Sequence, residues 1–124
     1  MKKILVIDFQ NLFIRSYVTN PSISKNGDPI GGIAGTFKSI QKVCRETKAD
    51  KIIVCHDGAG GSRKKRQQNP SYKQGRRPLH LNRSTKVLSE SEELENQIWQ
   101  QTRLFECLNC LPVIQLMFDD TEAD

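Results

Sequence analysis

The sequence predicts an α/β domain, a doubly wound and mainly parallel sheet, on three observations. Ile4-Leu5-Val6-Ile7, Ile52-Ile53-Val54-Cys55 and Val113 to Phe118 are short, largely apolar runs. Runs with little polar alternation suit strands buried on both faces, as in parallel sheets. The stretches between them carry helical spacing, which gives strand, helix, strand, helix, strand with right-handed crossovers. At 124 residues, 36% of them apolar, the chain has the size and composition of one folded domain.

Taken in order, the first strand stops at Asp8. Met1-Lys2-Lys3 followed by apolar residues has the order of an export signal, but the run is only four residues long before Asp8 and is too short for one. No stretch approaches membrane-spanning length. No membrane association and a cytoplasmic location are therefore expected, and Cys44, Cys55, Cys107 and Cys110 fit reduced thiols. From Ile33 to Thr47, the apolar residues Ile33, Phe37, Ile40 and Cys44 share one helical face. The second strand ends at Asp57. A second helix starts near Ser89, where Ser89 and Glu92 can form a capping box. Its apolar face is read as Leu94, Ile98, Phe105 and Leu108, and Pro112 marks the boundary before the third strand. Cys107-x-x-Cys110 is half of a zinc pattern with no second pair, so zinc is not expected.

Charge is distributed unevenly. The formal net charge is +5, yet from Arg63 to Lys86 there are nine Lys or Arg residues and no Asp or Glu. This tract, "GAGGSRKKRQQNPSYKQGRRPLHLNRSTK" over residues 58–86, is too long for an ordinary structureless connection. Pro70 and Pro78 discourage an uninterrupted helix. Tyr72 beside Lys73 and Arg76 places an aromatic face among phosphate-seeking cations, suited to stacking a base while gripping its backbone. A solvated basic loop, with Tyr72 packed on the domain, is the simpler reading of the same residues.

The acids fall at strand ends. Asp8 ends the first strand, Asp57 the second, and Glu122 and Asp124 follow the third. In a parallel sheet these ends share one edge, where open α/β folds place their ligands. Two unit charges about 4 Å apart cost roughly 4 kcal/mol at an effective dielectric of about 20. An oxygen-only cluster of this kind suits Mg2+ or Mn2+. Each acid taken alone also fits an ordinary helix cap.

With these motifs in hand, the chain resembles the 5′-nuclease family: phage flap endonucleases, 5′–3′ exonucleases and the N-terminal nuclease domain of bacterial DNA polymerase I. Asp8 ends the first strand, and Arg15 and Tyr17 follow at the family's spacing. "NGDPIGGIAG", Asn26 to Gly35, is similar to the family's glycine-punctuated start of its first long helix. "VCHDG" matches the second strand and its metal aspartate, Asp57. "YKQGR" matches the Tyr-Lys-x-x-Arg signature of the helical arch, and "TEAD" the Glu-Ala-Asp-Asp motif. The chain departs from the pattern at Phe9, where the family usually has Gly, and in lacking the last aspartate of the acidic motif.

The resemblance implies a PIN-like fold whose arch or clamp segment spans about residues 58–88. It implies Mg2+, or Mn2+ in its place, held by Asp8, Asp57, Glu122 and Asp124, with two ions in a complete enzyme. Lys73 and Arg76 would neutralise charge at the reacting phosphate. Arg63, Lys64, Lys65, Arg66, Tyr72 and Arg77 would guide the strand, and Arg15 would hold phosphate or brace the carboxylates. The expected partner is DNA with a 5′ single-stranded flap or a nick, with an RNA–DNA hybrid as the alternative, bound by a monomer in a bacterial or phage-infected cell. Because the family continues with further metal ligands and a helix-hairpin-helix-like region, the 124 residues are expected to be the N-terminal part of such a domain, with weak activity or none. Two rivals are a PIN-type nuclease of single-stranded RNA and a non-catalytic nucleic-acid-binding module.

Overall fold

A computed structural model describes residues 2–57, 81–83 and 87–118. Its elements are β1 (Ile4–Asp8), α1 (Phe9–Thr19), α2 (Gly31–Thr47), β2 (Lys51–Asp57), α3 (Glu90–Asn109) and β3 (Ile114–Phe118). The strands form one parallel sheet in the order β1-β2-β3. The three strands, the helix after Ile33 and the helix after Ser89 all stand as the sequence predicts. The Ser89–Glu92 capping box is formed from both sides, with each backbone N–H donating to the other residue's side chain.

One helix was not anticipated. α1 begins directly at Asp8, whose side chain accepts the Asn11 N–H at 3.2 Å as its N-cap. Phe9, Phe13 and Tyr17 recur every four residues and turn one buried aromatic face inward, their rings stacked with centroids 6.0 and 5.8 Å apart. These rings meet Ile7, Ile40, Val54, Leu104 and Leu108 in a single core.

The sheet is covered on one side. Leu5, Ile7, Ile52 and Val54 belong to the core or pack against it. Their alternating neighbours do not, and Ile4 (58%), Val6 (62%), Ile114 (46%) and Leu116 (37%) are exposed. Burial on both faces, expected from the continuous apolar runs, is therefore not met among the described residues. The cause is topological: consecutive strand order with right-handed crossovers returns every helix to the same face.

The buried face of α3 also differs from expectation. Leu108 is buried, but Leu94, Ile98 and Phe105 are exposed, and the inward positions are Glu93, Gln97, Gln100, Leu104 and Leu108. The first three are polar because the structure needs their hydrogen bonds. Gln100 accepts the Ile33 N–H at 2.9 Å and donates to the Pro29 carbonyl at 2.9 Å. It thereby caps α2, whose own N-cap residue Ile30 has no side chain able to do so. Glu93 accepts from the Tyr17 hydroxyl and from the backbone and side chain of Asn82, so it ties α1 to the residues that precede α3.

Close approach of α1 and α2 explains the glycines of "NGDPIGGIAG". A Cβ on Gly32 would lie 2.3 Å from Phe13 Cε1 and 2.8 Å from Gln100 Oε1, and one on Gly35 would lie 2.6 Å from Ser16 Cβ. Gly32→Ala is expected to destabilise the fold by about 1–3 kcal/mol through overpacking. An unchanged urea midpoint would show that the helices can part without loss.

Tyr17 supplies a pH test. Burial first, and then the Glu93 carboxylate bonded to it, push the phenol above the ordinary tyrosine range. The contribution to stability is present below the unfolded value of about 10 and is lost as pH rises through the folded value. A tyrosinate absorbance titration should show a step above about pH 10 that Tyr17→Phe removes. A Tyr17 step at or below the ordinary position would contradict the buried pair.

Candidate metal and nucleic-acid site

β1 and β2 pair in the register Ile4↔Lys51 through Asp8↔Cys55. Cα partners in a parallel pair share a face, so Asp8 lies on the same face as Cys55. Asp57, two residues further along β2, lies there too. One strand spacing across and two residues along place the two Cα atoms roughly 8 Å apart. Both acids therefore stand at the C-terminal edge of the sheet, on its open face, at the end of the exposed apolar row.

Asp8 is half-buried and Asp57 exposed. The cap reading of Asp8 is correct as far as it goes: Oδ1 is engaged by the helix, while Oδ2 remains for another ligand. Two oxygen donors on adjacent strands at this spacing fit a hard divalent cation. They form a pair rather than a full coordination set, and among the described residues no cluster of three or more His, Cys, Asp or Glu residues is assembled. Glu122 and Asp124, expected to join them, lie outside the described residues, as do Arg63, Lys64, Lys65, Arg66, Tyr72, Lys73, Arg76 and Arg77.

Arg15 sits on α1 seven positions after Asp8, about 10 Å along the helix axis. It is exposed and lines a groove of about 240 Å³ together with Asp8, Asn11 and Ser39. On the surface of α3, Arg103 pairs with Glu106 at 2.7 Å.

Sequence reasoning overlooked His56. Its ring is buried, with centroids 4.5 Å from Phe9 and 5.5 Å from Phe105, and its Nε2 lies 2.7 Å from Gln115 Oε1. Phe9, which departs from the family pattern, is thus a core ring against His56. The signal available was His56 itself, a polar residue at an inward position of a strand otherwise apolar there. Cys107 and Cys110 are exposed free thiols at the end of α3, and no helix among the described residues is long and apolar enough to cross a membrane.

Comparison with known proteins follows the same lines. The family model described as 5′-3′ exonuclease, N-terminal resolvase-like domain, matches residues 3–124. Among solved structures, the bacteriophage T5 D15 protein co-crystallised with metal ions aligns with a TM-score of 0.63 at 17% identity, over 98% of this chain and 41% of that one. A T5 D15 flap endonuclease variant, in a pseudo-enzyme-product complex with DNA and metal ions, aligns with a TM-score of 0.61 at 14% identity, over 98% and 40%. At these identities the likeness establishes the fold, and the chain spans about two-fifths of those proteins. A search of curated proteins finds no match.

The two roles of Asp8 can be separated. Asp8→Ala should cost about 1 kcal/mol by removing the cap of α1, whereas Asp8→Asn retains a good cap and should be nearly neutral in the absence of metal. Equal destabilisation by both, read from chemical unfolding in EDTA, would mean that the carboxylate charge and not the cap matters to folding.

Proposed function

Because the chain belongs to the family of 5′-3′ exonuclease N-terminal, resolvase-like domains, we propose that it serves metal-dependent hydrolysis of DNA phosphodiesters near 5′ ends. The observation that carries this reading is the placement of Asp8 and Asp57 on one face of one sheet edge. Like charges held there by backbone register favour a divalent cation, since nothing in the strands lets them separate. The neighbours' metal ions and DNA give the reading further support.

In this proposal Asp8, Asp57, Glu122 and Asp124 hold Mg2+, with Mn2+ as a substitute. A bound divalent ion supplies a water of lowered pKa and polarises the phosphoryl oxygens. The chain's own residues do the rest. The helix cap fixes the orientation of the Asp8 carboxylate, which needs no reorganisation when the ion arrives. Arg15, cationic and exposed in the groove it shares with Asp8, Asn11 and Ser39, holds a backbone phosphate of the bound strand. Lys73 and Arg76 neutralise charge developing at the reacting phosphate, and Arg63, Lys64, Lys65, Arg66 and Arg77 guide the strand, with Tyr72 stacking a base. The substrate is a 5′ flap or nicked duplex, and the protein acts as a monomer in the cytoplasm.

Thermal unfolding with and without Mn2+ tests the metal. At a hundredfold excess over the dissociation constant, Mn2+ should stabilise the chain by about 2.7 kcal/mol, and Asp57→Asn should erase most of that gain. No stabilisation of the wild type would leave a plain nucleic-acid-binding module as the better reading. Cleavage assays then separate substrates: flap DNA should be cut, slowly for a chain two-fifths the length of its neighbours, and unstructured RNA left intact. The opposite preference would identify a PIN-type ribonuclease.

A further inference from the structure

Beside Asp57 the described residues enclose a cleft of about 310 Å³ between the C-terminal ends of β2 and β3, the start of α1 and the middle of α3. Its volume is that of a small-molecule site. Phe105 and Met117 are exposed on its wall, Gln10, Gln101 and Thr102 add polar groups, and His56 lines it from the sheet.

The hydrogen bonds of Gln115 determine what His56 offers. The Gln115 amide nitrogen donates to the Phe105 carbonyl at 3.1 Å and to Asn109 Oδ1 at 2.7 Å. Its Oε1 is therefore the atom facing His56, and an amide oxygen only accepts, so His56 Nε2 carries the proton in that bond. In the neutral ring Nδ1 is then an acceptor, and it has no partner among the described residues. His56 is only 8% exposed and is held between Phe9 and Phe105. A ring that brings an acceptor to the cleft lining, an exposed aromatic face and adaptable amides is the chemistry that receives a flat heterocycle with N–H groups on its edge.

We propose that this cleft is a nucleobase site, which takes one unpaired base of the strand whose phosphate lies at the Asp8–Asp57 edge. The proposal rests on the nuclease reading above for the strand's presence, but not on any cleavage step. Phe105 stacks the base, His56 Nδ1 accepts from its edge, and the amides of Gln10 and Gln101 complete the contacts. The base is thereby turned into the domain while its phosphate stays at the carboxylates.

The test uses the 124-residue chain with Ca2+ present to shield the carboxylates, and compares two probes. One is a short oligothymidylate; the other is an abasic phosphodiester of the same length, which has the same charges and no bases. The ratio of their dissociation constants isolates the contribution of the bases. Phe105→Ala should lower that ratio by about 5- to 100-fold, the range for loss of one stacked base, and leave affinity for the abasic probe unchanged. Thr102→Trp fills the cleft from an exposed position and should do the same, which guards against a folding defect in the first variant. As a second readout, oligothymidylate should shift the His56 ring protons in the wild type, and the abasic probe should not. Binding of both probes with a ratio that neither variant alters overturns the base site and leaves the nuclease reading intact. Failure to bind either probe overturns both.

Discussion

Parallel pairing of β1 with β2 is the constraint on which the site depends. The register Asp8↔Cys55 leaves no freedom in where the two acids fall, because a shift of one residue would turn every side chain to the other face. A slip of β2 would turn Asp57 toward the helices and bring Ile53 and Cys55 there in place of Val54 and His56. The apolar rows are thus what hold the carboxylates together. Repulsion between the acids, a few kcal/mol at most in a wet site, is small beside the burial that fixes the strands.

The second support is polar and lies inside. Glu93, Gln97 and Gln100 occupy three successive inward positions of α3, where an ordinary amphipathic helix would place leucines. Gln100 and Glu93 answer needs elsewhere: the uncapped start of α2 and the Pro29 carbonyl for the first, the Tyr17 hydroxyl and the Asn82 amide for the second. A buried carboxylate is costly unless its oxygens are satisfied, and Glu93 has donors on both. Removing a partner leaves a charge in the core, so these bonds enforce one relative placement of α1, α2 and α3 more strictly than apolar contacts would. Specificity of placement matters here because α1 carries Asp8 and Arg15, and α3 carries the wall of the cleft beside Asp57.

These two supports also explain how much could be read from the sequence. Strand ends were legible because Asp8 and Asp57 interrupt apolar runs, and a single acid after four apolar residues is an unambiguous boundary. α2 was legible through Ile33, Phe37, Ile40 and Cys44, and the start of α3 through the Ser89–Glu92 reciprocity. α1 was not, because its apolar residues follow β1 without a turn or glycine to separate them; the cap is the strand's own last residue. The face of α3 was misassigned because periodicity counts apolar side chains, and the inward side chains are Glu and Gln. Leu94, Ile98 and Phe105 keep helical spacing on the exposed flank beside it. The basic tract and the acids after Phe118 lie outside the described residues, so their part in the site rests on motif and charge.

The open sheet face sets how strongly the acidic edge can act. Ile4, Val6, Ile114 and Leu116 are exposed along the face that ends at Asp8 and Asp57, so the carboxylates sit at the rim of an apolar surface. In that state a cation is attracted through a high effective dielectric, and ordinary salt screens the interaction. Polypeptide packed over the apolar row would expel that water and bury surface worth about 25 cal/mol for each Å². It would also lower the dielectric at the acids. Their mutual repulsion and their attraction to a divalent ion would then rise together, set against the cost of stripping water from the charges. Covering the sheet would therefore strengthen the electrostatics of the acidic edge, and with it the binding of the proposed cation.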